Sequence, residues 1–299
     1  MYRYKAFGLT FDSEIELPGL PVADLVPEIQ IRYGNVPASL DRINTRGVCF
    51  EAADMLLLLR IPGVARLLIR EGHTVTIEMI KDGSVELLKS FLAGTVMAVL
   101  LQQRGFITFH GSAVLMNGHA LLFIGSSGSG KSSLAASFIN KGCSLIADDV
   151  CAVRFESSGT PVIYPSFPSI KLWHDVAGLL IPPGISKSPV REGIEKYRML
   201  MDTCFYSHPA EIDTAIILNV HNKSTFNGNR LKGMERFNQL NSNIYRYRFI
   251  EGMGLKQLFF DGCTQLAGKI RIYSIIRPRY PVNIDGLRNY VLDQIGNAL

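Results

Sequence analysis

The segment that most constrains this chain is an octapeptide, Gly125-Ser126-Ser127-Gly128-Ser129-Gly130-Lys131-Ser132, which matches G-x-x-x-x-G-K-[ST] at every position. Its glycines allow successive backbone N–H groups to turn towards one anion, where a Cβ atom would collide. An apolar run at residues 121–124 precedes the octapeptide, and an apolar helical pattern follows it. The sequence therefore predicts a strand, a phosphate-binding loop and a helix within an α/β fold.

The residue types of this loop predict a nucleoside triphosphate, ATP or GTP, bound with Mg²⁺. A helix that begins near Ser132 would direct its unpaired N–H groups and the positive end of its dipole at the phosphates. Lys131 would bring a mobile charge to the β- and γ-phosphates, and the Ser132 hydroxyl is a suitable oxygen ligand for Mg²⁺. The predicted nucleotide contacts are Gly125, Ser126, Ser127, Gly128, Ser129, Gly130, Lys131, Ser132 and Ser133.

Two adjacent carboxylates, Asp148 and Asp149, follow Lys131 by 17 and 18 residues. One helix of about ten residues and a short strand over residues 143–147 would fill this spacing, which predicts a parallel strand pair with a right-handed crossover. The pair would then lie at the carboxyl end of a strand, where open α/β sheets bind ligands. Because adjacent strand residues face opposite sides, we expect one carboxylate towards the metal and the other towards an acceptor. A pair of turn-forming aspartates is the alternative.

His110 lies 21 residues before Lys131, at the predicted end of a strand that enters a hairpin. Asn117-Gly118 between two apolar runs is a strong hairpin signal. Since the returning strand leads directly into the phosphate loop, His110 is a candidate for contact with the γ-phosphate. A purely structural histidine is the alternative.

The chain before residue 84 consists of short apolar runs, the first over residues 2–11, separated by proline and glycine turns such as that at Pro18. This pattern predicts a small antiparallel β-rich domain over residues 1–84. A helical pattern over residues 84–104 then opens a second domain, residues 85–299, which is predicted to end in a helix over residues 282–299. Its longest apolar stretch, residues 91–101, is shorter than the roughly 20 residues that a bilayer requires, so we expect a buried helix and no membrane partner. Five scattered cysteines without C-x-x-C are typical of a reducing, cytoplasmic location.

The formal net charge of +5 is too small to indicate a nucleic-acid partner. It is unevenly distributed, because residues 222–280 contain eleven Lys or Arg against three Asp or Glu. This segment is either a solvated basic face or a docking surface for an acidic partner.

Taken together, His110-Gly111, the loop of residues 125–132 and Ala147-Asp148-Asp149-Val150 resemble the catalytic domain of the HPr kinase/phosphorylase family. The resemblance implies a P-loop kinase domain of HPr-kinase type behind the small N-terminal β-rich domain. It implies that Asp149 is the general base for a serine hydroxyl and that His110 contacts the transferring phosphoryl group. Lys131 would stabilise the charge of that group, and Ser132 and Asp148 would hold Mg²⁺.

The family's downstream signature, with its metal-binding glutamate, is not visible in residues 168–175, and its later catalytic arginine has no clear counterpart. Lys196 or Arg198 could substitute as a charge clamp. Residues 4–9, 15–18 and 171–173 resemble the tailoring kinases that phosphorylate the C-terminal serine of a lasso-peptide precursor. This second resemblance implies a precursor-peptide substrate and a homo-oligomer. A kinase for a free hydroxy amino acid and a non-catalytic nucleotide-dependent binding module are the alternatives.

Overall fold

The computed structural model describes residues 1–17, 19–180, 185–190 and 193–296. It divides into two compact units, residues 1–108 with 245–262 and residues 109–244 with 263–299. The first unit extends past the predicted boundary near residue 84 because the following helix packs on its strands. At the end of that helix the Gln103 amide donates to the carbonyl of Met55 at 3.0 Å and accepts from the N–H of Gly72 at 2.8 Å.

The elements of residues 1–108 are mostly strands. The strands are β1 (Tyr2–Ala6), β2 (Leu9–Ser13), β3 (Ile29–Tyr33), β4 (Thr45–Arg46), β5 (Phe50–Ala53), β6 (Leu56–Ile61), β7 (Ala65–Arg70) and β8 (Thr74–Met79). The helices are α1 (Val85–Phe91) and α2 (Met97–Gln103), joined without a break by a π-helical turn, Leu92–Val96.

The described strands of the first unit form one sheet in the order β1-β2-β3-β8-β7-β6-β5-β4. It is mixed rather than antiparallel as predicted, because β3 runs parallel to both β2 and β8. The connection over residues 14–28 is long enough to return the chain to the end of the sheet at which β2 began. The predicted strand over residues 2–11 is divided by a turn at Phe7 and Gly8, where φ is 53° and 72°. Pro18, one of the predicted turn residues, lies outside the described residues.

The continuous helix from Val85 to Gln103 is long and apolar enough to span a membrane by length and composition alone. Most of its apolar window is buried within the protein, from Leu88 to Leu101. In the structure it is therefore a core helix, as expected from the sequence.

Residues 109–296 alternate strands and helices. The strands are β9 (Ile107–Met116), β10 (His119–Gly125), β11 (Ser144–Phe155), β12 (Pro161–Tyr164), β13 (Ser169–Trp173), β14 (Lys187–Pro189), β15 (Lys196–Leu200), β16 (Ala210–His221), β17 (Asn227–Arg230) and β18 (Arg271–Pro278). The helices are α3 (Lys131–Ile139), α4 (His174–Leu180), α5 (Met234–Ser242), α6 (Tyr247–Gly252), α7 (Lys256–Lys269) and α8 (Ile284–Ile295), with a 3₁₀ turn at Asp202–Cys204. The end of the predicted C-terminal helix, residues 297–299, lies outside the described residues.

The main sheet of the second unit has the order β10-β9-β11-β12-β16-β18-β17, and β10 also pairs with β16. The predicted hairpin is present, with Met116 opposite His119 and positive φ at Asn117 and Gly118. The predicted direct pairing of the strands on either side of α3 is wrong. Because β9 folds back along β10, it occupies the edge at which β11 would pair, and the parallel neighbour of β10 is β16.

Two predicted strand ends are also wrong, because β9 continues through His110 and β11 continues through Asp148 and Asp149. Residues 150–153 are buried and β11 pairs with β12 beyond them, so the apolar pattern extends the strand. A second sheet of described strands, in the order β13-β15-β14, lies beside α3 and α4. Its Ile170 and Leu172 join the core formed by Leu134 and Phe138 of α3 and Val291 of α8.

Candidate active site

The phosphate-loop residues connect the end of β10 to the start of α3. Gly125 has a φ of 143°, and a Cβ there would come within 2.3 Å of the Leu218 carbonyl oxygen on β16. Gly130, with a φ of 102°, immediately precedes the helix. The first helical hydrogen bond is donated by Leu134 to the carbonyl of Gly130, at 2.8 Å. The N–H groups of residues 131–133 precede it and form the helix end that can receive an anion.

Arg277 of β18 holds this loop from behind. Its guanidinium donates to the carbonyls of Ser129 at 2.7 Å and Gly128 at 3.2 Å, and to that of Pro278 at 2.8 Å. Burial lowers the pKa of this guanidinium, and the neighbouring Arg279 acts in the same direction. By binding the loop carbonyls, Arg277 fixes the peptide planes whose N–H groups would contact phosphate.

Lys131, at the start of α3, is buried and donates to the carbonyls of Gly125 at 2.9 Å and Ser126 at 2.8 Å. Burial lowers the pKa of its ammonium to about 8, although Asp148 and Asp149 oppose this change. The side chain therefore carries its charge at neutral pH, beside the loop.

Asp148 lies inside β11 and is almost fully hydrogen-bonded. Its Oδ1 accepts from the hydroxyls of Ser112 at 2.6 Å and Ser132 at 2.8 Å, and its Oδ2 accepts from the N–H of Lys171 at 2.8 Å. These neutral donors fix the carboxylate against the first turn of α3. Ser112 directly follows His110-Gly111, but a serine within a strand does not by itself predict a contact with Asp148.

Asp149 has a φ of 74°, in the left-handed region that is rare for residues other than glycine. This backbone conformation interrupts the alternation of β11, and both carboxylates face one cleft, contrary to the predicted opposite orientation. Lys171 donates to Asp149 Oδ2 at 2.6 Å. His110 Nδ1 lies 3.0 Å from the backbone carbonyl oxygen of Asp149 and 3.4 Å from Oδ1 of the Asp149 side chain. Although burial opposes ionisation, Lys171 and His110 hold the pKa of the Asp149 carboxyl well below its usual value.

The cleft between the loop and the second sheet has a volume of about 180 Å³. Of the sequence-predicted site residues, those that line it are His110, Ser127, Gly128, Gly130, Lys131, Ser132, Ser133, Asp148, Asp149 and Lys196. Gly125, Ser126 and Ser129 belong to the loop but do not line the cleft, and Arg198 lies opposite Lys171 in the β13–β15 pairing.

Four charged or aromatic residues of the cleft lining are not among the sequence-predicted site residues: Lys171, Trp173, Asp175 and Arg277. Lys171 and Trp173 are two residues apart on β13 and therefore lie on the same face of the strand. Lys196 of β15 pairs with Trp173. The period-2 pattern of residues 169–173 could have placed Lys171 and Trp173 on one polar face. Arg277 carried no such signal, because it reaches the loop only through the pairing of β16 with β18.

The donor set at the start of α3 is chemically suited to Mg²⁺. Ser132 Oγ and Asp148 Oδ1 lie 2.8 Å apart, close to the separation of about 2.9 Å that adjacent ligands have in an octahedral Mg²⁺ site. Among the described residues, no group of three or more His, Cys, Asp or Glu could hold a metal ion. Mg²⁺ is usually held by one or two carboxylates together with phosphate oxygens and water, and Asp148 would be such a carboxylate.

Comparison with known proteins identifies the segment that carries most of this cleft. Residues 103–171 match the family model of the HPr Serine kinase C-terminal domain. This HPr-kinase-like segment is 69 of the 299 residues and contains His110, the phosphate loop, both aspartates and Lys171. The resemblance to HPr kinases is therefore confirmed for this segment, whereas the lasso-peptide subtype stays a prediction.

A solved structure, the HPr(Ser) kinase/phosphatase from Coxiella burnetii, is 13% identical over 64% of this chain and 94% of its own, with a TM-score of 0.32. Among curated proteins, no match to this sequence was found. An overall likeness of this size carries no chemistry, so the functional argument depends on the geometry of the cleft.

Proposed function

We propose that the protein is a nucleotide-dependent kinase that transfers a phosphoryl group to a hydroxyl, that of a serine in particular. The observation that carries this proposal is the left-handed conformation of Asp149, which turns a second carboxylate towards the phosphate loop. A nucleotide sensor needs the loop and one metal-binding carboxylate. A transferase also needs a group that can receive a proton from an acceptor.

The loop and α3 supply the binding part of the mechanism. The N–H groups of residues 131–133 and the Lys131 ammonium would hold the phosphates, while Arg277 keeps the loop carbonyls turned back. Ser132 Oγ and Asp148 Oδ1 would hold Mg²⁺, which when bound neutralises charge on the phosphate oxygens. Since Lys131 already binds the loop carbonyls, it would exchange two hydrogen bonds for contacts with phosphate.

Asp149 would accept the proton of the acceptor hydroxyl. Its Oδ2 accepts from Lys171 at 2.6 Å, whereas His110 Nδ1 lies farther from Oδ1, at 3.4 Å, so the acceptor hydroxyl would approach Oδ1. The low pKa of this carboxyl makes it a weak base, and we infer that it mainly orients the hydroxyl and receives the proton late, as a loose phosphoryl-transfer transition state allows. Lys171 and His110 would hold Asp149 in this orientation.

We propose a peptide as the acceptor, with the C-terminal serine of a ribosomally made precursor as the specific site. The cleft volume of about 180 Å³ is smaller than the roughly 300–1,000 Å³ of typical small-ligand pockets. The cleft can therefore hold phosphates and the reacting hydroxyl, and the rest of the acceptor would lie outside it, against a rim that includes the half-exposed Trp173. This favours an extended acceptor over a free amino acid.

The test is incubation of the full chain with γ-labelled ATP or GTP, Mg²⁺ and three acceptors. These are a peptide ending in serine, the same peptide ending in alanine, and free serine. We expect phosphate on the first peptide alone, detected by mass spectrometry, and none with the Asp149→Asn variant. Labelling of free serine alone would favour a small-molecule kinase. Nucleotide binding without any transfer or hydrolysis would favour the non-catalytic module.

A further inference from the structure

We infer that the first unit contains a separate binding site for an acidic peptide segment that carries an apolar side chain. The site is a cavity of about 510 Å³, within the range of about 300–1,000 Å³ that ligand pockets occupy. We call it the arginine-rimmed cavity. Its lining residues come from the β4–β7 region, the long helix and α6, all within the first unit.

The walls of the arginine-rimmed cavity are mainly apolar. Phe50 and Phe249 meet edge to face, with ring centroids 4.6 Å apart, and Leu59 and Phe91 also line it. Val48 at the cavity is 100% exposed. A ligand that continued past the cavity would cover this side chain and remove its apolar surface from water.

The charge of the cavity is strongly one-sided. Arg60, Arg246 and Arg248 line it, and no Asp or Glu does so among the described residues. Arg60 is neutralised by Glu51 at 2.7 Å. In the described part of the chain, neither Arg246 nor Arg248 forms an ion pair with a carboxylate.

Instead, both guanidiniums are held against the aromatic walls. Arg248 lies 5.6 Å from the Phe50 ring centroid and Arg246 lies 6.0 Å from that of Phe249. Arg248 also donates to the Arg46 carbonyl at 3.2 Å. Such stacking leaves the edge N–H groups of a guanidinium able to bind a carboxylate.

The backbone around the cavity is unusual at two independent places. Arg246 has φ 54° and ψ 47°, a left-handed conformation that costs about 1–2 kcal/mol for a residue of this type. The π-helical turn Leu92–Val96 contributes the buried Thr95 to the lining. Single π turns within α-helices frequently occur at functional sites, where they displace side chains from the regular helical positions.

The ligand class follows from the charge count and the apolar walls. Two guanidiniums without carboxylate partners can bind two acidic groups, whereas a simple fatty acid has only one. A peptide segment with Asp or Glu on both sides of a Leu or Phe provides two carboxylates and one apolar group for the aromatic walls. The inference does not depend on the proposed kinase activity, because every residue involved lies outside the phosphate-loop cleft.

The test uses isothermal titration of the full chain with a capped hexapeptide, acetyl-Gly-Asp-Leu-Phe-Glu-Gly-amide. Three comparison ligands are the same peptide with Asn and Gln for the acids, the peptide with Ala for Leu and Phe, and dodecanoate. Arg246→Asn and Arg248→Gln remove the charges, and Asn tolerates the left-handed backbone. Arg42→Gln, an exposed arginine of the first unit outside the cavity, is the matched control.

We expect the hexapeptide to bind, and each cavity substitution to weaken binding about tenfold or more, because each removes a charge-assisted contact. Arg42→Gln should leave the affinity unchanged, and both altered peptides should bind at least tenfold more weakly. No binding of the hexapeptide, or binding unaffected by both cavity substitutions, would overturn the inference. Binding of dodecanoate in place of the peptide would overturn it in favour of a small amphipathic acid. Unchanged thermal unfolding and nucleotide affinity of each variant establish that it is folded.

Discussion

Replacement of Asp149 by asparagine tests the chemistry of the cleft with little change of shape. Asparagine accepts the left-handed φ of 74° that this position requires, whereas alanine would add strain of about 1–2 kcal/mol. The substitution replaces the carboxylate by a neutral amide, which cannot receive the acceptor proton, and it leaves the phosphate loop untouched. Loss of the group that orients the hydroxyl and receives its proton costs about 10² to 10⁴ in rate, which corresponds to about 3–5 kcal/mol in the barrier. We therefore expect transfer to fall at least about a hundredfold at unchanged nucleotide affinity.

The same substitution also leaves Lys171 without its partner. The side chains of Lys171 and Asp149 are 14% and 25% exposed, so this ion pair is intermediate between an exposed and a buried one. An exposed ion pair stabilises by up to about 1 kcal/mol, whereas removing one partner of a buried pair costs about 3–5 kcal/mol. We expect Asp149→Asn to lower the free energy of unfolding by about 1–3 kcal/mol. In the double variant with Lys171→Met, the uncompensated charge is gone, and stability should recover while transfer does not.

The assay combines urea unfolding, titration calorimetry with ATP and quenched transfer to the serine peptide for the wild type, both single variants and the double variant. Transfer by Asp149→Asn within about threefold of the wild type would refute the role of Asp149 as proton acceptor. Recovery of transfer in the double variant would refute it too, because the loss would then reflect the unpaired Lys171 and not the missing carboxylate.

Three further outcomes are expected. Lys131→Met should weaken ATP binding at least tenfold in calorimetry, because the ammonium would contact the phosphates, while the free energy of unfolding stays unaltered. Unchanged ATP affinity and turnover would contradict the role of Lys131. Arg277→Met should lower both ATP affinity and stability, the latter by about 1–3 kcal/mol, because the buried Ser129 carbonyl and the Gly128 carbonyl lose their donor. Arg277→Lys keeps a positive charge but fewer donors, so its losses should be smaller than those of Arg277→Met. Hydrogen bonds from Leu40 N–H, Arg60 and Ser39 overcome the effect of burial and lower the pKa of Glu51 to about 2. The ionised Glu51 therefore stabilises the fold above about pH 4.5, and this stabilisation is lost as the pH falls towards 2. The difference in unfolding free energy between wild type and Glu51→Gln should shrink over this interval. A difference that does not depend on pH would contradict the lowered pKa of Glu51.

Elements whose formation depends on residues close together in sequence could be predicted. The hairpin at Asn117-Gly118, the loop and α3 follow from turn propensity, glycine geometry and apolar periodicity within a few residues of each other. The strand pairing could not be predicted in this way, because the insertion of β9 between β10 and β11 depends on which sheet edge is already occupied. The same non-local cause hides Arg277, which is 148 residues from Ser129 in sequence.

The placement of Asp148 and Asp149 illustrates a different limit. Alternation along a strand predicts opposite orientations, and that rule holds only while every residue keeps an extended φ. A single left-handed residue inside β11 changes the direction of one side chain. Aspartate adopts this conformation more readily than most residues do, but the sequence does not show which of the two adjacent aspartates adopts it. The apolar residues 150–153 indicate that β11 continues past the two aspartates. The predicted strand was too short because it ended at Asp148 and Asp149.

In the structure, the two adjacent aspartates differ in how their charges are balanced. From the sequence, one of the two adjacent carboxylates is expected to face a metal ion. In the folded chain Asp149 already has Lys171 at 2.6 Å, whereas among the described residues the Asp148 carboxylate accepts hydrogen bonds from hydroxyl and backbone N–H donors. Since neutral donors leave the charge of a carboxylate in place, Asp148 would repel a triphosphate more strongly than the lysine-paired Asp149 would. Asp148 also lies against Ser132, so we expect a divalent cation to bind at the first turn of α3, and in the proposed mechanism Asp149 faces the acceptor.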